Sequence, residues 1–91
     1  MKVTVQLLGQ ARQLAESDRL VVEAREGASV DDLVPGVVSV ASQRLLTVLV
    51  EDQKLRRSVM AILDDEAIDP AAPNLLQDGA ELSLLPPMSG G

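Results

Sequence analysis

The chain of 91 residues is long enough for one domain and too short for two. It contains no Cys, His, Trp, Tyr or Phe, which excludes disulfides, thiolate or imidazole metal sites and imidazole bases, and with them most enzyme classes. Its 8 basic and 14 acidic residues give a formal charge of −6. Repulsion from phosphates and the lack of aromatic stacking argue against nucleic acid as a partner.

The first residues, from Met1 to Val5, alternate between apolar and polar side chains. A secretory signal or membrane span would instead need a long apolar block, and the apolar runs here are only a few residues long. We therefore expect a cytoplasmic protein that does not contact a membrane.

Period-2 alternation predicts a first strand over residues 3–8, with Val3, Val5 and Leu7 on one face. A second strand is predicted over residues 20–24. A polar stretch that contains Arg12, Glu16 and Asp18 separates the two segments, and a hairpin is the simplest connection.

Ser29 and Asp32 have the spacing of a capping box, which predicts a helix that begins near Val30. Pro35 and Gly36 oppose its continuation, so this helix should be short or bent. The next stretch, residues 41–50, fits either a second helix or a buried strand, and we favour the helix.

The last third of the chain predicts two more strands, over residues 59–63 and 81–85. Asp64-Asp65 is expected to form the turn after the first of them. The segment 69–74 contains two prolines and is expected to be irregular, and Asp78-Gly79 is a turn dipeptide.

This order of elements resembles the β-grasp arrangement of ubiquitin-like proteins, an α+β fold in which a mixed sheet packs over one main helix. We expect the domain to span residues 1–85, with a core of aliphatic side chains. Residues 86–91 are expected to form an extended, flexible C-terminal tail that ends in two glycines.

The tail has the composition of a segment that enters another protein's active site. Pro86 and Pro87 lack amide donors and should end the sheet. Gly90 and Gly91 carry no side chains, so their backbone could enter a narrow channel. A terminal carboxylate is ionised at neutral pH and needs activation before it can transfer an acyl group. No phosphate-binding loop, base or nucleophile is evident, so we expect a partner to perform the chemistry, with no catalytic residue and no cofactor of this chain's own.

The ending Leu-Pro-Pro-Met-Ser-Gly-Gly, from Leu85 to Gly91, resembles that of the ubiquitin-like sulfur carriers, most closely the small subunits of molybdopterin synthase. The Asp-Gly-Ala-Glu-Leu segment 78–82 before it, the opening residues 2–5, and the segments 10–14 and 29–33 follow the same family order. The match spans nearly the whole chain, although only the Pro-Pro-x-x-Gly-Gly ending is specific.

The resemblance implies a sequence of reactions at Gly91. A ubiquitin-activating-like adenylyltransferase would adenylate its carboxyl group, and sulfur from a sulfur donor protein would then replace the AMP to give a thiocarboxylate. The sulfur would pass to cyclic pyranopterin monophosphate in the large subunit of molybdopterin synthase. This chain would thus be a non-catalytic sulfur-donor subunit.

A partner surface is predicted at the base of the tail. Leu8 and Leu85 fall on the polar sides of their strands, and they would form an exposed apolar patch if these strands are neighbours. Ile68 is a further candidate for this patch. A covering loop, or isolated exposed leucines, is the alternative. The other partner-binding candidates are the tail residues Pro86, Pro87, Met88, Ser89 and Gly90.

Several alternatives remain open at this level. The same scaffold could carry sulfur for thiamine, for cysteine or for a thiolated tRNA base. It could also be a protein modifier whose Gly91 forms amides with lysines, or an adaptor that only binds. The acidic side chains are expected to be solvated, or to complement basic surfaces of the activating enzyme. Their spacing does not match an EF-hand, so no metal site is expected.

Overall fold

The computed structural model describes residues 1–15, 17–69 and 74–87. In chain order the elements are β1 (Lys2–Leu7), α1 (Gly9–Leu14), β2 (Arg19–Glu23), a 3₁₀ helix (Asp31–Leu33), α2 (Val34–Val40), α3 (Gln43–Leu49), β3 (Val50–Glu51), β4 (Lys54–Leu55), β5 (Met60–Leu63), β6 (Glu66–Ile68) and β7 (Glu81–Leu85).

Five of these strands form one mixed sheet in the order β2-β1-β7-β5-β6. The central pair, β1 and β7, is parallel, and all other neighbours are antiparallel. The mixed sheet and its helical layer confirm the predicted β-grasp fold.

The alternation of apolar residues along the central strands determines which face of the sheet is buried. Val3, Val5 and Leu7 of β1 are at most 1% exposed, as are Leu82 and Leu84 of β7. These side chains pack against the helices and form the centre of an entirely aliphatic core. The opposite face of the sheet, which we call the outer face, carries the alternate residues.

The first two strands pair as an antiparallel hairpin, as predicted, but their connection contains a helix that the sequence analysis missed. This helix, α1, is only 6 residues long, and Ala11 is its buried residue. So short a segment gives little periodic signal, because one buried side chain defines no apolar stripe.

The predicted helix near Val30 begins as the 3₁₀ helix and continues as α2. Pro35 occupies the first turn of α2, where a missing amide donor costs nothing, so it starts this helix instead of breaking it. Gly36 lies against the sheet, where an added Cβ atom would collide with the Cγ1 atom of Val22. Its lack of a side chain therefore lets α2 pack closely on β2.

The Ser29–Asp32 pair forms one half of the expected capping box. The Asp32 carboxylate accepts hydrogen bonds from the Ser29 backbone N–H (2.9 Å) and from the Ser29 hydroxyl (3.2 Å). The backbone bond, followed by the hydroxyl bond and the charge of Arg25, lowers the pKa of Asp32 from its ordinary value. The Asp32 amide donates to the Ser29 carbonyl (3.0 Å) and not to the Ser29 hydroxyl, so the other half of the predicted box is replaced by a backbone bond.

The second helical stretch is confirmed as α3, which begins after Ser42. The Ser42 hydroxyl accepts a hydrogen bond from the Leu45 amide (3.2 Å) and so caps the helix. A small hairpin of β3 and β4, which the sequence analysis did not predict, follows directly.

Strands β5 and β6 form a tight hairpin whose turn is Asp64-Asp65, as predicted, although β6 itself was not. Both turn residues have positive φ angles, 48° and 72°. The Asp64 carboxylate accepts a hydrogen bond from the Glu81 amide (3.0 Å), which fixes the turn to β7. Of the connection predicted to be irregular, residues 70–73 lie outside the described residues.

Among the helices of the described chain, none is both long and apolar enough to cross a membrane.

Candidate functional site

The segment that precedes the tail is the central strand of the sheet. β7 pairs with β1 on one side and with β5 on the other, and it ends at Leu85. Pro86 is buried and Pro87 is exposed, so the first proline still packs against the domain. The predicted tail residues Met88, Ser89, Gly90 and Gly91 lie outside the described residues.

Backbone hydrogen bonds hold β7 at both ends. At its start, the Thr4 amide donates to the Ala80 carbonyl (2.9 Å), and at its end the Leu8 amide donates to the Leu84 carbonyl (3.0 Å). The point at which the chain leaves the sheet is therefore fixed relative to the end of β1.

The outer face of the sheet carries an apolar patch at this end of β7, which we call the outer patch: Leu8, Met60, Ile62 and Leu85. Met60 pairs directly with Leu85, and Leu8 follows the residue that pairs with Leu84. Leu8 is 37% exposed and Met60 is 53% exposed, whereas Ile62 and Leu85 are half-buried. The structure thus brings Leu8 and Leu85 to neighbouring strand ends on the outer face, and their role in partner binding stays a prediction.

The side chain of Leu85 packs directly against Gly9. A Cβ atom at Gly9 would lie 2.6 Å from Cδ1 of Leu85, and the φ angle of Gly9 is +58°. The absence of a side chain therefore allows both the turn from β1 into α1 and the position of Leu85 over it. This contact explains why Leu85 is half-buried although it belongs to the outer face.

Ile68 does not join the outer patch. It pairs with Ala61, which is 0% exposed and faces the core, and it packs against the core cluster. Because residues that pair across a sheet share a face, Ile68 lies on the opposite side from Leu8 and Leu85.

Sequence reasoning missed Met60, the most exposed member of the outer patch. Its signal was present, because Met60 alternates with the buried Ala61 along β5. The decisive fact was the strand order, which places β5 beside β7 and so brings Met60 next to Leu85. Strand order across a crossover is not encoded in the period of any one strand.

The outer face changes from apolar to acidic along β7. The second row is mixed, because Ile62 pairs with Ser83 and the Ser83 hydroxyl lies 3.4 Å from Oε1 of Gln6 on the other side. The row beyond it contains Glu81 opposite Thr4, and Asp64 is bonded to the same residue. The apolar end of this face is therefore the end from which the tail leaves.

Within residues 1–15, 17–69 and 74–87, no three acidic side chains come together as a group that could hold a metal ion. The arrangement at the base of the tail provides a binding surface and an anchored strand end.

The sequence profile of the ThiS family matches residues 5–91. A curated relative, the molybdopterin synthase sulfur carrier subunit of Chlamydomonas reinhardtii, is 29% identical over 91 residues, which cover 100% of both chains.

Solved structures agree with this family. SAMP1 from Haloferax volcanii superimposes with a TM-score of 0.78 and 26% identity, with 100% of each chain covered. A complex of subunits 1 and 2 of molybdopterin-converting factor from Helicobacter pylori contains a chain that matches with a TM-score of 0.61 and 25% identity, again over 100% of each chain. The chain described here therefore belongs to the ThiS family and is a ubiquitin-like sulfur carrier.

Proposed function

We propose that this protein donates sulfur for molybdopterin synthesis as the small, sulfur-carrying subunit of molybdopterin synthase. The sulfur is carried as a thiocarboxylate on Gly91. The curated relative from Chlamydomonas reinhardtii bears this function in its name, and the Helicobacter pylori relative was solved together with a second subunit of its converting factor.

The observation that carries this proposal is the position of the outer patch. An exposed apolar surface, centred on Met60 and Leu8, lies at the end of the central strand from which the tail departs. A partner that covers this surface would receive the tail directly, because Leu85 belongs both to the patch and to the strand end. Apolar patches with polar surroundings are typical of protein interfaces.

The chemistry at Gly91 follows from the low reactivity of a carboxylate. A carboxylate oxygen attacks the α-phosphorus of ATP on an adenylyltransferase, and pyrophosphate leaves. Hydrosulfide supplied by a sulfur donor protein then attacks the carbonyl carbon, AMP leaves, and loss of the remaining sulfur-bound proton gives the thiocarboxylate. The residues before the reacting group would lie inside the partner's channel: Gly90, Ser89, Met88 and Pro87. The absence of a side chain at Gly90 would let the backbone enter a narrow passage.

The proposal places this chain in the cytoplasm with three protein partners: the adenylyltransferase, the sulfur donor and the large synthase subunit. Leu8, Leu85 and Pro86 would contact the first and the last of these in turn, because both must hold the same tail.

Intact-mass spectrometry tests the proposal. The protein is incubated with the adenylyltransferase encoded in the same genome, ATP and a sulfur source, and its mass should rise by the difference between a sulfur and an oxygen atom. A variant that lacks Gly91 should keep its original mass. The charged protein should then convert cyclic pyranopterin monophosphate in the presence of the large subunit, whereas a charged protein inactive in that assay would contradict the molybdopterin role.

A second candidate is a protein modifier. It is favoured by the likeness to SAMP1, a small archaeal modifier protein, whose TM-score of 0.78 exceeds the 0.61 of the molybdopterin-converting factor chain. An epitope-tagged protein expressed in its native cell distinguishes the two. A modifier would give a ladder of conjugates that depends on Gly91, and a dedicated sulfur donor would give none.

A further inference from the structure

The sheet has an open edge at β2. This strand is the first in the order β2-β1-β7-β5-β6, and within the described part of the chain it pairs only with β1. Unpaired strand edges present rows of N–H and C=O groups, and they pair readily with other strands unless something blocks them. The edge lies across β1 from the strand that carries the tail.

The hydrogen-bond pattern shows which groups face the open edge. Ala24 exchanges hydrogen bonds with Met1, and the Asp18 carbonyl accepts from the Leu7 amide, so the even-numbered residues of β2 direct their backbone groups to β1. Alternation then directs the N–H and C=O groups of Arg19, Val21 and Glu23 away from the sheet.

Exposed valines surround this edge. Val21, at the centre of β2, is 56% exposed, and Val38 and Val40 of α2 are 47% and 54% exposed. Val38 shares a cavity with Ala24, just beyond one end of β2, and Val40 shares another with Leu20, near its other end. The unpaired backbone edge of β2 is therefore flanked by exposed valine side chains.

We propose that β2 pairs with β2 of a second copy of this chain, antiparallel and centred on Val21. In this register Val21 lies opposite Val21 of the second copy, and Arg19 lies opposite Glu23. All three residues direct their backbone groups to the open edge, so each opposed pair can exchange two hydrogen bonds. The two sheets would become one continuous sheet around a twofold axis.

Charge complementarity selects a second copy as the occupant. The twofold axis places the guanidinium of Arg19 beside the carboxylate of Glu23 at both ends of the pairing, and opposite charges across strands are favourable. Both side chains are exposed. The exposed contact between Arg19 and Asp18, 3.8 Å long, is weak enough to be exchanged for this pair.

One local interaction competes with the pairing. The Ser17 hydroxyl accepts from the Arg19 amide (3.3 Å) and donates to the Arg19 carbonyl (2.8 Å), which satisfies this residue in the monomer. The two hydrogen bonds between the Val21 residues of the two copies do not require any such bond within the monomer to break. We therefore expect a weak dimer that forms from the centre of β2 outwards.

The pairing leaves the tail and the outer patch free, because β1 separates β2 from β7. It therefore goes beyond the proposed sulfur transfer and does not depend on it. A dimer would carry two tails, one on each copy.

Sedimentation velocity of the full chain, at concentrations up to about 1 mM, measures the association, since weak pairing must offset the lost freedom of two molecules. The wild type should dimerise. Arg19→Glu and Glu23→Arg each place like charges at both ends of the pairing, and each should weaken dimerisation about tenfold or more. Circular dichroism confirms that both variants are folded.

Mixing the two variants gives the decisive measurement. In a mixed dimer the introduced carboxylate of the Arg19→Glu chain faces the introduced guanidinium of the Glu23→Arg chain at one end. At the other end the unchanged Glu23 of the first chain faces the unchanged Arg19 of the second. The two variants should therefore associate with each other more tightly than either associates with itself.

Three results would overturn the proposal. The first is a wild type that stays monomeric over the whole concentration range. The second is a pair of variants that each dimerise as the wild type does, and the third is a mixture of the variants that fails to associate.

Discussion

Leu85, the last residue of the central strand, packs directly over Gly9, so that its Cδ1 atom lies 2.6 Å from the point where a Cβ atom of Gly9 would stand. This contact joins the start of α1 to the base of the tail. It gives one half of the outer patch a rigid support and leaves Met60 as its freely exposed half.

Replacing Gly9 by Ala should destabilise the fold for two reasons, the positive φ angle and the collision with Leu85. We expect a loss of about 2–3 kcal/mol in the free energy of unfolding. Gly27→Ala is the matched control: Gly27 has a φ angle of +81°, and no described heavy atom lies within 4 Å of its Cβ position. This control should lose only about 1 kcal/mol.

The double variant Gly9→Ala/Leu85→Ala isolates the contact. It should recover part of the loss, because the shortened side chain no longer meets the new methyl group. Urea unfolding of the wild type, both single variants and the double variant gives the four free energies. Equal losses for Gly9→Ala and Gly27→Ala would show that Leu85 moves aside at no cost.

Met60→Glu should weaken binding to the adenylyltransferase about tenfold, because it places a charge on the most exposed residue of the outer patch. The fold should be nearly unaffected, since Met60 is 53% exposed. Val38→Glu is the matched control, because Val38 is 47% exposed and belongs to α2, outside the patch. Calorimetric titration measures both. If Val38→Glu weakened binding more than Met60→Glu does, the interface would lie on the helices instead of the outer patch.

Asp32→Asn should reduce stability at neutral pH, and the difference from the wild type should shrink in acid. The pKa of Asp32 is lowered in the folded state, first by the Ser29 amide. Its contribution is therefore fully present above the unfolded pKa, about 3.9, and is lost as the pH falls through the folded value. Thermal melts from pH 7 to pH 2 test this, with Asp31→Asn as the control for lost charge. A constant difference across that range would contradict it.

Asp65→Gly should stabilise the hairpin of β5 and β6. Asp65 has a φ angle of 72°, which glycine adopts without strain, and Asp-Gly is a preferred pair for such turns. We expect a gain of about 0.5–1 kcal/mol. Asp65→Ala should instead cost stability, because it keeps a Cβ atom at the same φ angle. If both variants shift the urea midpoint in the same direction, the turn conformation is not the cause.

The period-2 strands were predictable because each has a buried and an open face. Leu82 and Leu84 defined β7, whose bounds in the structure are those predicted, and Val3, Val5 and Leu7 defined β1, whose bounds differ from the prediction by one residue at each end. The β-grasp fold was predicted because the order of all the predicted elements resembles that arrangement, whereas alternation alone shows only which face of each strand is buried.

The elements that were missed are short. β6 has 3 residues and β4 has 2, and each exists because a turn with positive φ angles folds it back on its neighbour. Asp predicts a positive φ angle less clearly than Gly does, so the sequence around Asp52 did not predict a hairpin.

At the site, the proximity of Leu8 and Leu85 was predictable from alternation, whereas Ile68 was placed on the wrong face. The direction of Ile68 depends on its register with Ala61, which is set by the Asp64-Asp65 turn. A shift of one residue reverses the face, and the sequence of a three-residue strand does not fix that register.

The central place of β7 has a mechanical consequence. Hydrogen bonds to β1 and to β5 flank this strand on both sides, so a force applied to the carboxyl end must slide two ladders at once. A partner that draws in the last residues therefore pulls on a strand that is paired along both of its sides. We therefore expect the fold to resist force applied at its carboxyl end.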